Sequence, residues 1–114
     1  MQDINEEQLS IPILDLGAAT REEVNESYLT SMGGIIKFIL RRMFAPGSGP
    51  NFFRVRGTRP QINSFLDTLT AEKKYLSSFS KFGLHSPMTY KNSRQLAGAV
   101  RGFEKETGLK WPFK

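Results

Sequence analysis

Three groups of cations stand out in this chain, and the chemistry they suit is the holding of anions. Arg54, Arg56 and Arg59 crowd one short segment. Lys91, Arg94, Arg101 and Lys105 lie along another, with Lys110 and Lys114 beyond, and Lys37, Arg41 and Arg42 form a third beside Phe38 and Phe44. Guanidinium and ammonium groups repeated on one face recognise phosphates and carboxylates by charge and hydrogen bonding. Arg94, Arg101 and Lys105 are spaced seven and four apart, which makes one basic stripe on a helix. Each group also has a structural account. Cations complement the C-terminal end of a helix, charged residues guard an edge strand, and a charged stripe is an ordinary solvated face.

The partition of charge along the chain adds weight to anion binding. Residues 1–30 contain seven acids against Arg21 alone, a net of −6. Residues 31–114 contain 15 Lys and Arg against Asp67, Glu72, Glu104 and Glu106, a net of +11. An acidic head on a basic body suits an anionic partner for whose surface the head competes.

Catalytic constellations are not evident. The chain has no cysteine, which excludes disulfides, thiolate zinc sites and cysteine nucleophiles, and fits a reducing compartment. Its one histidine, His85, lies in a Ser- and Pro-containing loop with no partnering motif. Glu104 and Glu106 sit two apart on a helical segment and cannot face the same way, so a paired-carboxylate mechanism or metal site is not supported. Gly47-Ser48-Gly49 and Arg56-Gly57-Thr58 do not match the phosphate-loop pattern. The second would aim backbone N–H groups at an anion from a strand-to-helix turn, but a threonine N-cap builds such a turn equally well. We read the chain as non-enzymatic, with no cofactor and no metal.

The elements that must position these residues follow from hydrophobic periodicity. The 114 residues suffice for one domain with its own core, and 39% apolar with 24% charged residues describes a globular chain. Residues 1–19 form an acidic N-terminal arm, loosely held at its start, in which Ile11 to Leu16 is a short strand or a docked extended segment. A basic domain over 20–114 follows, interrupted by a Pro/Gly linker at 45–51.

A first helix is expected over 21–44, with Thr20 as N-cap and Glu23 completing a capping box. Gly33-Gly34 within it marks a kink or a close approach by a neighbour. Residues 52–56 read as a strand with Phe53 and Val55 on one face and Arg54 and Arg56 on the other. Thr58 then caps a second helix over 60–82, whose Ile62, Phe65, Leu66, Leu69, Leu76, Phe79 and Phe82 share a face. A third helix starts between Thr89 and Ser93, carries Leu96, Ala99, Val100 and Phe103 inward, and stops at Gly108. There Leu109 would close a Schellman cap, and Trp111 and Phe113 dock the tail on the body. The expected fold is α+β and predominantly α: three amphipathic helices with one clear short strand, and a second over 11–16 as the alternative to a docked segment.

Three blocks suggest a relative: residues 55–62 (VRGTRPQI), 72–76 (EKKYL) and 103–114 (FEKETGLKWPFK). On these the chain resembles small basic head-assembly proteins of large contractile-tailed bacteriophages, in particular the minor prohead core, or internal scaffold, component. The resemblance covers roughly the C-terminal two thirds. It implies a non-enzymatic protein packed inside the immature capsid with acidic scaffold partners and exposed to a head-maturation protease. Such proteases favour Ile or Leu two residues before Glu, a pattern that Ile4-Asn5-Glu6 fits.

The first functional reading is thus a small basic binding protein of viral head assembly, or a comparable structural component, acting through protein and polyanion contacts. Its partner would be an acidic protein or nucleic acid, held by Arg54, Arg56, Arg59, Lys91, Arg94, Arg101 and Lys105. A second reading is a sequence-nonspecific nucleic-acid-binding regulator using the same residues. A third is an inhibitor that docks the apolar face of the first helix on a host protein. That helix, 21–44, could also pair two copies of the chain. No segment is long and apolar enough to span a bilayer, and the acidic start has no secretory leader, so the expected location is a cytoplasm or, for a viral protein, the virion.

Overall fold

The computed structural model describes residues 13–19, 25–44 and 53–113. Strand β1 (Ile13–Asp15), helix α1 (Glu26–Phe44), strand β2 (Arg54–Arg56), helix α2 (Arg59–Phe82) and helix α3 (Pro87–Thr107) follow in that order. This is the predominantly α, α+β fold expected.

The second strand exists, and it lies inside the acidic N-terminal segment. β1 pairs in parallel with β2, in the register Ile13 to Arg54, Leu14 to Val55 and Asp15 to Arg56. Leu16 N–H extends the ladder to Arg56 O at 2.7 Å. Parallel strands need a crossover, and α1 supplies it. Leu14, Leu16 and Ala18 are buried, so residues 13–19 belong to the core rather than to a loose arm. Residues 1–12 lie outside the described residues.

Helix α1 begins later than its periodicity suggested. Asn25 Oδ1 accepts the Tyr28 N–H at 2.8 Å and Asn25 O accepts the Leu29 N–H at 3.0 Å, the geometry of an N-cap. The Thr20–Glu23 capping box and the linker over 45–51 lie outside the described residues. Met32, Ile36, Ile39 and Leu40 form the buried stripe. At Gly33 the close-approach reading holds, because a Cβ there would lie 3.4 Å from Pro112 Cβ. The C-terminal tail thus packs across the middle of α1.

Helices α2 and α3 form an antiparallel hairpin. Gln61 Nε2 reaches Glu106 O at 3.5 Å at one end, and Thr68 Oγ1 donates to Ser64 O at 2.7 Å within its helix and meets Ala99 O at 3.0 Å midway. Asn92 Nδ2 donates to Lys74 O at 3.4 Å and to Ser78 Oγ towards the other end. At the start of α2, Thr58 Oγ1 accepts from Gln61 N–H while Gln61 Oε1 accepts from Thr58 N–H, a complete capping box. Helix α3 starts at Pro87, before the expected 89–93 window. Ser86 Oγ accepts the Met88 N–H at 3.2 Å and Pro87 occupies the first turn, where a missing N–H costs nothing. Gly108 adopts φ 73° and donates to Glu104 O, but Leu109 N–H donates to Thr107 Oγ1. The end is therefore a left-handed cap completed by a side chain in place of a Schellman bond.

The apolar face expected along α2 is not one buried face. Phe65 and Leu69 are buried and Ile62 is half-buried, whereas Leu66, Leu76, Phe79 and Phe82 are exposed. The buried side of the helix is set by two neighbours at once. Phe65 and Leu69 join the core cluster with residues of α1 and the strands, and α3 packs against a polar row that includes Thr68 and Ser78. Phe65, Phe103 and Trp111 meet at the centre, with ring centroids 5.2 to 6.3 Å apart, and Phe53 approaches Phe65 edge-on at 6.5 Å. Trp111 thus docks the tail as expected, while Phe113 keeps 36% of its surface exposed.

Candidate polyanion interface

Alternation along β2 does what the sequence required. Phe53 and Val55 turn inward, and Arg54 and Arg56 are exposed on the opposite side. Arg59 is exposed at the first position of α2. The Gly57-Thr58 turn beside them is a cap. Its Thr58 N–H is held by Gln61 Oε1 at 2.9 Å, and the Gln61 and Ile62 N–H groups return to Thr58 at 3.3 and 2.9 Å. Those donors are satisfied within the turn, so the arginines present charge without a backbone cradle behind them.

Lys91, Arg94, Arg101 and Lys105 are all exposed on α3. They span roughly 21 Å of helix at 1.5 Å per residue. Because Gln61 faces Glu106, the arginines of β2 and α2 share one end of the hairpin with Lys105. Lys91 and Arg94 belong to the opposite end. Of the seven residues singled out from sequence, four therefore share one end and two the other, with Arg101 between them along α3. Arg94 folds back along its helix, its guanidinium 5.8 Å from the Tyr90 ring centre and Nη1 3.4 Å from the Tyr90 hydroxyl.

At that second end the structure adds residues that the sequence reading did not select. A groove of about 590 Å³ runs between α2 and α3, lined by Lys73, Lys74, Lys81 and Lys91. Ser77 and Gln95 contribute neutral donors, Phe82 and Met88 contribute apolar wall, and no acidic side chain lines it among the described residues. A signal did exist. Lys74 and Lys81 are seven apart and fall on one helical stripe, but only the hairpin sets that stripe beside Lys91.

The basic end of α1 has a different character. Arg41 and Arg42 occupy its last turn, where the helix dipole favours cations. Lys37 and Arg41 border a cleft of about 410 Å³ that is walled mainly by Leu40, Phe44, Tyr75, Leu76 and Phe113. Glu72 also borders it, but its carboxylate accepts the Trp111 indole N–H at 2.8 Å. Burial raises the Glu72 pKa above its ordinary 4.5, and the indole hydrogen bond offsets part of that rise.

The other acids of the basic body divide between engaged and exposed. Glu104 Oε2 accepts the Trp111 backbone N–H at 3.1 Å, while Asp67 and Glu106 are exposed. His85 is exposed in the α2–α3 loop. Among the described residues no group of three or more His, Cys, Asp and Glu is placed to hold a metal ion. Among the same residues no helix is long and apolar enough to cross a membrane.

No protein-family model, curated protein or solved structure matches this chain.

Proposed function

We propose that this protein acts by binding rather than by catalysis, as a small basic structural or assembly component that holds a polyanion against its helical hairpin. One observation carries the reading: the fold turns cations outward and engages half of the acids of the basic body. Arg54, Arg56, Arg59, Lys91, Arg94, Arg101 and Lys105 are all exposed. Glu72 and Glu104, by contrast, are both committed to Trp111. The surface left is a field of positive charge with few internal counter-ions, which favours an extended anionic partner.

The role in phage head assembly rests on the resemblance of residues 55–62, 72–76 and 103–114. A core component packed against acidic partners would use this same surface. Asp3, Glu6 and Glu7 would then act as competitors within the chain for its cations.

Binding of labelled RNA, DNA and polyglutamate across a salt series tests the proposal. Affinity should fall log-linearly with salt, by close to 0.7 to 0.9 of slope per neutralised nucleic-acid phosphate. A full-length variant carrying Asp3→Asn, Glu6→Gln and Glu7→Gln should bind more tightly. Absence of binding to every polyanion at low salt would exclude the reading.

A further inference from the structure

We propose that the lysine-lined groove between α2 and α3 is a site for single-stranded nucleic acid, with Phe82 as the face on which a base stacks. The inference rests on the polyanion reading above and assigns it a place and a ligand class. The place is not the arginine row to which the sequence pointed first.

Charge complementarity is the first argument. Lys73, Lys74, Lys81 and Lys91 converge on one groove without an acid among its described lining residues. Lys73 also lies 5.6 Å from the Phe44 ring centre, which ties it towards α1. Lys74, Lys81 and Lys91 are exposed and turn to solvent. Lys74 and Lys81 are two helical turns apart, roughly 10 Å along the axis, so one strand lying along the groove would meet both.

The apolar rim is the second argument. Phe82 is 58% exposed and Met88 48% exposed at the same end of the hairpin. Both line the groove. An aromatic ring presented to water beside cations is what successive bases and phosphates recognise together, in a sequence-tolerant way. Ser77 and Gln95 supply neutral hydrogen-bonding groups to phosphate, sugar or base edges.

Shape selects the single strand. Packed helices have axes roughly 8–10 Å apart, so the trough between them admits one chain and not a duplex. The groove volume of about 590 Å³ matches a ligand the size of a few linked nucleotide groups.

The test is fluorescence anisotropy of a short labelled oligothymidylate with full-length protein across a salt series, with circular dichroism confirming that each variant is folded. The unmodified chain should bind in a salt-dependent way and prefer the single strand to the matching duplex. The triple variant Lys74→Ala, Lys81→Ala, Lys91→Ala should bind at least tenfold more weakly, with the salt slope lowered by about 2. The variant Phe82→Ala should lose roughly tenfold in affinity at an unchanged slope. The variant Arg54→Ala, Arg56→Ala, Arg59→Ala should lose less affinity than the lysine variant.

Three results overturn the site and leave the polyanion reading standing. They are loss in the arginine variant with none in the lysine variant, equal or tighter binding of duplex, and binding of polyglutamate with none of the oligonucleotide. Failure to bind either probe overturns both.

Discussion

The indole N–H of Trp111 donates to the Glu72 carboxylate at 2.8 Å across 39 residues of sequence. The bond fastens the C-terminal tail to the middle of α2, and the Trp111 ring then seals the core against Phe65 and Phe103. Glu72 is almost fully buried at 4% exposure, and desolvation is the larger influence on its pKa, which is raised. The native state therefore binds this proton more readily than the unfolded chain does. The contribution of Glu72 to stability is greatest below the ordinary value of 4.5, falls as pH rises from there to the raised value, and is level above it. Glu72→Gln keeps an acceptor for the indole and removes the buried charge. It should raise the melting temperature at neutral pH, with the gain vanishing as pH approaches 4. Glu72→Leu leaves the indole N–H without its acceptor and should destabilise by about 1–3 kcal/mol in urea unfolding at neutral pH.

The capping box at the start of α2 carries a second prediction. Thr58→Ala removes the acceptor for the Gln61 N–H and should cost about 1 kcal/mol. Gln61→Ala should cost more, because Gln61 also reaches across the hairpin to Glu106 O. Denaturant midpoints at constant slope would rank the two, and an equal cost would argue against the cross-hairpin bond.

Two glycines should respond in opposite directions to alanine. Gly34 has nothing within 4 Å of its would-be Cβ and lies inside α1, so Gly34→Ala should stabilise by roughly 0.5–1 kcal/mol. Gly108 holds φ 73°, and a Cβ there would lie 3.1 Å from Ala19 Cβ. Gly108→Ala should therefore destabilise by about 1–2 kcal/mol, read as a lower thermal midpoint.

Thr89 is fully buried, and its hydroxyl has no hydrogen-bond partner among the described residues. Thr89→Val keeps the shape and removes the unsatisfied group. The variant should be at least as stable as the parent, with a gain of about 1 kcal/mol in denaturant unfolding. A clear loss would mean that the hydroxyl is satisfied in solution.

Much of the local structure was legible in the chain. The alternation of Phe53, Arg54, Val55 and Arg56, the Thr58 cap, the Gly108 stop and the inward Val100 and Phe103 all follow from periodicity and terminal chemistry. These are short-range properties, decided by the residue itself and its neighbours within a turn or a pleat. The Ser86-Pro87 start of α3 was equally local, and reading His85-Ser86-Pro87 as loop concealed it.

Long-range placement was not legible. Periodicity in α2 identified an apolar stripe but not which part of it neighbours cover, and Leu76, Phe79 and Phe82 are exposed beyond Leu69, the last residue of α2 in the core cluster. The burial of Glu72 could not be read from a charged residue without knowing that Trp111 returns to meet it. The composition and order of residues determined by themselves the helices, their caps, the outward arginines of β2 and the excess of positive charge. Only the tertiary structure decided that β1 joins the core, that the named cations spread along the hairpin, and that Lys74, Lys81 and Lys91 share one groove. The physical reason is range: backbone hydrogen bonding and side-chain periodicity act within a few residues, whereas burial and the meeting of charges depend on which distant segments the fold brings together.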